Sequence, residues 1–179
     1  MSTISDFKNN FRGGVRPNLY KVVVNAPAIF GAMDLQFLGK ATQIPGSVIG
    51  NIDVAYRGRM LKVPGDRTFE DWTVTIINDE DFAVRAGLEE WVQSINSTQG
   101  NLRLTGANPE AYKSQGSVIH FGKQGDVIRE YKFVGLFPTS IGSIELSWDT
   151  VDSIEEYQVT WSYDFFTVDV ATTFGGLIN

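Results

Sequence analysis

His120 is the single histidine of this 179-residue chain, and it sits in the apolar run SVIHFG. An imidazole there could act as a general base or bind a metal, but either role needs a nucleophile or a second ligand close by. No G-x-S-x-G elbow occurs, and the chain has no cysteine. His120 therefore reads as a packing residue of a strand. The segment GSVIHFGK at 116–123 approaches a phosphate-binding loop, yet five residues separate its glycines where a P-loop has four. Gln124 also stands where a magnesium-binding Ser or Thr is required. Adjacent acids occur at Glu70/Asp71, Glu89/Glu90 and Glu155/Glu156. Neighbours on a strand face opposite ways, so none of these pairs is a carboxylate dyad by itself. The expectation is no catalytic residue, no cofactor and no metal.

The chemistry that stands out is charge set among apolar residues. Arg57, Arg59, Lys62 and Arg67 are interleaved with Met60, Leu61 and Val63. One reading is a solvated loop. The other is an intermolecular contact, because the apolar members would gain by leaving water. The formal charge of −6 is unevenly spread: residues 1–132 hold all fifteen Lys and Arg against fourteen acids, and residues 133–179 hold seven acids and no base. Such a segment repels phosphate backbones. It reads either as a solvated acidic face or as the complement of the basic loop. Opposite charge on two surfaces of one protomer suits head-to-tail assembly, because heterologous contacts propagate.

The elements that carry these residues are mostly strands. Gly13, Gly14 and Pro17 punctuate an N-terminal arm, residues 1–15. Residues 19–24, LYKVVV, predict a strand, with 34–40 as its hairpin partner. Residues 45–65 are rich in Gly and Pro and predict a long excursion with a short hairpin inside it, too apolar for solvent. From 69 to 77 the alternation puts Trp72, Val74 and Ile76 on one face and Thr73 and Thr75 on the other. Asn78 is the expected cap of a helix whose first turn holds Asp79, Glu80 and Asp81, with Val84, Leu88, Trp91, Val92 and Ile95 as its apolar stripe. Strands are predicted again at 117–122, 127–137, 144–148 and 157–166. In the last of these, Tyr157, Val159, Trp161, Tyr163 and Phe165 are expected to point one way.

This is one domain over 1–179, mainly β with one α-helix, in a β-sandwich or barrel-like arrangement. A chain of this length buries roughly 70% of the surface its unfolded form would expose. The polar start MSTISDFKNNFRGG and the absence of a long apolar run predict a protein made in a cytoplasm, with no membrane binding.

The stretch VPGDRTFEDWTVTIINDED, from Val63 to Asp81, resembles the signature of tail tube proteins of contractile-tailed bacteriophages. The likeness begins at RPNLYKVVV, runs through KATQIPGSVIGNIDVAYRGRMLKVPGDRTFEDW, and resumes in KFVGLFPTSIGSIELSWDTVDSIEEYQVTWSYDF. It implies a β-sandwich or barrel subunit in hexameric rings, stacked as a hollow tube inside a contractile sheath. It also implies a virion component, assembled in the host cytoplasm, that conducts tape measure protein and then double-stranded DNA. The implied partners are further copies of itself, the sheath, the baseplate or tube initiator and the tail terminator.

On this resemblance residues 46–66 correspond to a long inter-subunit loop; the charged and apolar cluster Arg57, Arg59, Met60, Leu61, Lys62, Val63 and Arg67 supplies the contact candidates. Asp149, Asp152, Glu155 and Glu156 are candidates for an acidic lumen, and residues 167–179 are expected to dock on a neighbour. The rival readings are a tube protein of a type VI secretion or extracellular contractile injection system, and a carbohydrate-binding β-sandwich.

Overall fold

Apolar alternation builds the centre of the molecule. In the computed structural model, residues 4, 6, 14–27, 38–103 and 108–170 are described. They form β1 (Tyr20–Asn25), β2 (Gly39–Thr42), β3 (Ser47–Tyr56), β4 (Arg59–Phe69), β5 (Trp72–Ile77) and α1 (Ala83–Ile95). A 3-10 turn at Pro109–Ala111 follows, then β6 (Ser114–Phe121), β7 (Val127–Ile141), β8 (Glu156–Ser162) and β9 (Phe165–Val170). The strands run in the order β1-β6-β7-β8-β5-β2, all antiparallel, with β9 also on β7, and β3-β4 make a separate two-stranded ribbon.

The long strand β7 turns the corner of the fold. Its first part pairs with β9 through Arg129 to Val134, and its second part pairs with β8 from Phe137 to Ile141. Gly135 lies between the two parts at φ +71°, where a Cβ would fall 2.0 Å from Oδ2 of Asp164. Only glycine accepts both that backbone angle and that approach. Opposite it, the Asp164 N–H donates to the Val134 carbonyl at 2.9 Å, and Lys113 holds the Asp164 carboxylate at 2.6 Å.

Trp72, Val74, Ile76, Val159 and Trp161 are fully buried between the sheet and α1, which contributes Val84, Leu88 and Trp91. The Trp72 ring stacks on Phe133 at 4.4 Å, and Trp91 meets Trp161 edge-on at 5.6 Å. Two indoles also have polar anchors: Trp72 Nε1 donates to Thr42 Oγ1 and Trp91 Nε1 to the Tyr112 carbonyl, each at 2.8 Å. Buried aromatic polar atoms prefer such partners.

Several local expectations change. β1 pairs with β6, while β2, the described part of the 34–40 segment and its continuation, pairs with β5. Residues 34–37 lie outside the described residues. Local pattern suggests a neighbour in sequence as hairpin partner, whereas the core residues Val22 and Val24 are satisfied by β6. Asn78 does not cap the helix. Its backbone N–H and its Nδ2 both donate to Glu155, at 2.9 Å each, fastening β5 beside β8. The acids Asp79 to Asp81 form a turn before the helix, and α1 starts after Phe82, whose φ is 51°.

Residues 144–148 are not a strand. Ser147 organises a turn there, its Oγ accepting from Asp149 N at 3.2 Å and its carbonyl from Thr150 Oγ1 at 3.0 Å, and such side-chain bonds compete with a sheet ladder. The 157–166 segment splits into β8 and β9 at the Asp164 corner, so Phe165 ends exposed while Tyr157, Val159, Trp161 and Tyr163 stay inward. Thr167 to Val170, expected in a C-terminal extension, belong to β9, and residues 171–179 lie outside the described residues. Most of the 1–15 arm does too.

Burial pushes the phenols of Tyr157 and Tyr163 up to about 12; Arg85 opposes the first shift and Glu89 adds to it, and Asp71 and Glu70 add to the second. The folded values lie above the unfolded value of about 10. Their contribution to stability is therefore whole below about pH 10 and is lost as pH rises through about 12. Tyrosinate absorbance of the native protein should lag that of the denatured chain on alkaline titration. Replacing both residues by Phe should remove most of the lag, and coincident titration curves for native and denatured wild-type protein would contradict this.

Candidate assembly interface

Residues 46–66, expected as an inter-subunit loop, form the β3–β4 ribbon, which is one long hairpin occupying the whole excursion rather than a short one inside it. Gly and Pro did not break it because they sit where a ribbon tolerates them. Arg57 and Gly58, at φ 48° and 79°, form the tip, and positive φ at both turn residues suits the twist of a hairpin. Gly50 lies at a register shift between Ile49 and Asn51.

Cross-strand register divides the hairpin into two faces. The pairs Ile52↔Val63, Val54↔Leu61 and Tyr56↔Arg59 share one face, and Asp53↔Lys62 and Ala55↔Met60 share the other. The first face is apolar apart from Arg59. Yet every residue of β3 is exposed, and Leu61 is 62% exposed. An exposed apolar face of this kind gains by burial against another surface.

The root of the hairpin is fixed to the domain. Glu70 N–H donates to the Gly46 carbonyl at 3.2 Å, and Tyr163 Oη donates to the Glu70 carbonyl at 2.7 Å. Phe69 packs on Phe166 at 5.3 Å and on Tyr163 at 6.1 Å. The ribbon is thus an arm held at its base, with Arg57 over the Tyr56 ring at 5.3 Å near the tip.

The structure brings Arg57, Arg59, Met60, Leu61, Lys62 and Val63 together at the outer part of the arm, with Arg67 nearer its root opposite Ile49. Met60 shares the polar face with Lys62, away from Leu61 and Val63. Sequence reasoning missed Ile52, Val54 and Tyr56, although their period-two spacing was a readable signal. The acids divide. Glu155 accepts from Asn78 and Glu156 is ion-paired with Lys40, whereas Asp149 and Asp152 are exposed in the loop between β7 and β8. His120 lies in β6 opposite Tyr20 on one side and Arg129 on the other. Among the described residues no group of three or more His, Asp or Glu is placed to hold a metal ion.

The profile of the phage tail tube protein family matches residues 5–169. This chain belongs to that family. It is 34% identical to tail tube protein gp19 of Enterobacteria phage T4 over 166 residues, spanning 91% of this chain and 98% of that protein. Against the tail tube protein of Serratia phage KSP90 the identity is 28% over 170 residues, with 91% and 95% covered.

The fold of this tail tube protein is also that of solved contractile assemblies. A chain of the sheath-tube complex of an extracellular contractile injection system, PVC in its extended state, superposes with a TM-score of 0.63 at 15% identity, covering 96% of this chain and 100% of that one. A chain of the PVC sheath/tube terminator gives 0.67 at 16% identity, with 89% and 99% covered. The injection-system rival shares the architecture, while the substantial sequence identity is with phage proteins. The chain is a structural subunit of the phage virion tail tube, and its family is not enzymatic.

Proposed function

We propose that copies of this tail tube subunit close into hexameric rings and stack as a hollow conduit for double-stranded DNA within a contractile sheath. The observation that supports this most is the β3–β4 arm, whose apolar face has no cover in the isolated subunit. Arg57, Arg59, Met60, Leu61, Lys62, Val63 and Arg67 meet a neighbouring subunit, together with Ile52, Val54 and Tyr56. Burying an aliphatic or aromatic side chain contributes about 1.5–3 kcal/mol, so an arm with several of them supports a firm contact.

Ring closure uses the sheet margins. Among the described residues β1 pairs only with β6, and β9 pairs only with β7, so each has an open edge. Unpaired edges are templates for another strand, and joining one subunit's β1 to its neighbour's β9 would remove both. An electronegative wall would keep DNA from sticking, and Glu155 and Glu156, fixed where β8 begins, are candidates for that wall. The sheath, tube initiator, tail terminator and tape measure protein are the other partners.

Negative-stain microscopy of the purified protein, with and without the initiator complex, tests the reading. The expected result is rods of constant width with a central channel and sixfold end views. Dispersed particles of one subunit's size under both conditions would overturn it.

A further inference from the structure

The loop joining β7 to β8, residues 142–155, carries a second uncovered apolar surface. Leu146, Val151 and Ile154 are exposed and Trp148 is fully so, at 103%. They alternate with Glu145, Asp149, Asp152 and Glu155, and the loop has no basic residue. It is nonetheless tied down at both ends. Gly142 N–H donates to the Gln158 carbonyl at 2.7 Å, Arg85 Nη1 donates to the Gly142 carbonyl at 3.2 Å, and Asn78 holds Glu155. Beneath it lies an open groove of about 680 Å³ lined in part by Thr75, Glu145, Leu146, Ile154 and Gln158.

The arm has the opposite character. Residues 47–69 hold Arg57, Arg59, Lys62 and Arg67 against Asp53 and Asp66, a net charge of +2. Among the described residues the ion pairs all lie outside the arm and outside residues 142–154. Position completes the match. β5 pairs with β8 from Trp72↔Trp161 to Ile77↔Glu156. The arm joins β5 at the Trp72 end, and the loop enters β8 at the Glu156 end, so their attachment points lie at opposite ends of this pair, about 17 Å apart at 3.4 Å per residue. A basic apolar arm at one pole and an acidic apolar loop at the other form a heterologous pair that repeats from copy to copy.

We propose that the 142–155 loop of one copy receives the β3–β4 arm of the next, with Trp148 and Leu146 against the Val54–Leu61 face and Asp149 and Asp152 facing Arg57 and Arg59. This rests on the tube reading and names the surface that covers the arm. It gives Asp149 and Asp152 a place in a subunit contact instead of the lumen, because the apolar residues around them gain from a protein partner and not from DNA. Complementary charge then fixes which ends meet.

The test is a charge-reversal cycle read by sedimentation of rods. Asp149→Lys with Asp152→Lys should lower assembly at least about tenfold, as should Arg57→Glu with Arg59→Glu, and all four changes in one chain should restore most of it. Fluorescence adds a second readout: Trp72, Trp91 and Trp161 are already buried, so an assembly-linked blue shift should come from Trp148 and vanish in Trp148→Phe. Full assembly of the Asp149/Asp152 double variant, or wild-type rods with no recovery in the fourfold variant, would overturn the contact while leaving the tube standing. Failure of the wild-type chain to form rods would remove both.

Discussion

Replacing Val54 by Lys and Leu61 by Asp in one chain should leave the subunit folded and abolish tube formation. The two residues face each other across the arm, and both are exposed in the isolated subunit. Opposite charges at directly facing strand positions keep the ribbon paired. Because neither side chain belongs to the hydrophobic core, melting should shift by no more than the equivalent of about 0.5 kcal/mol. In the proposed contact the same changes would remove two apolar anchors at about 1.5–3 kcal/mol each and place charges where water is excluded. A loss of about 3 kcal/mol already lowers one contact's association constant by more than about a hundredfold, and in the proposed tube the loss would recur at every copy. Calorimetry on the variant and sedimentation of its rods check the two halves separately. Normal rods would refute the role of the arm, and a large fall in melting temperature would show that the arm supports the domain itself.

The reverse pattern is expected for Trp161→Ala, which should damage folding first and assembly only as a consequence. Trp161 lies 5.6 Å from Trp91 of α1 and 6.3 Å from Trp72 of β5, so it joins helix to sheet. Truncating a fully buried Trp costs about 3–5 kcal/mol, a large part of the 5–15 kcal/mol that holds a domain. The melting temperature should fall by about 6–20 °C for a chain of this size. Trp161→Phe should be far milder, since the buried Trp161 Nε1 has no hydrogen-bond partner to lose. Equal losses for the Ala and Phe variants would contradict the packing account.

These contrasts mark what could be read from residue order alone. β5 was legible because Trp72, Val74 and Ile76 alternate with Thr73 and Thr75, and burial follows that alternation. The helix was legible from Val84, Leu88 and Trp91, which lie on one side of it. Its start was not, because a tertiary contact, Asn78 to Glu155, claimed the residue that local rules favour as a cap. Long-range choices were also hidden. Nothing near β1 announces that its partner begins almost ninety residues later, at Ser114.

The proposed assembly surfaces were half visible. The cluster from Arg57 to Val63 drew attention through its mix of charge and apolar bulk. Ile52, Val54 and Tyr56 drew less notice despite their period-two spacing, because the Gly and Pro of residues 45–65 make the segment look like loop. Trp148 misled in the other direction: an apolar alternation usually marks a strand facing a core, and here it faces solvent. On the proposed reading, strand-like pattern also encodes surfaces that would be buried only between copies.

Hydrogen exchange of residues 47–69, compared between free subunit and assembled rods, tests the central claim most directly. An arm covered by a neighbouring copy should exchange slowly in rods and markedly faster in the free subunit, while the β5–β8 core is protected in both. Equal exchange of the arm in the two states would show that it stays in solvent after assembly, and would contradict the account.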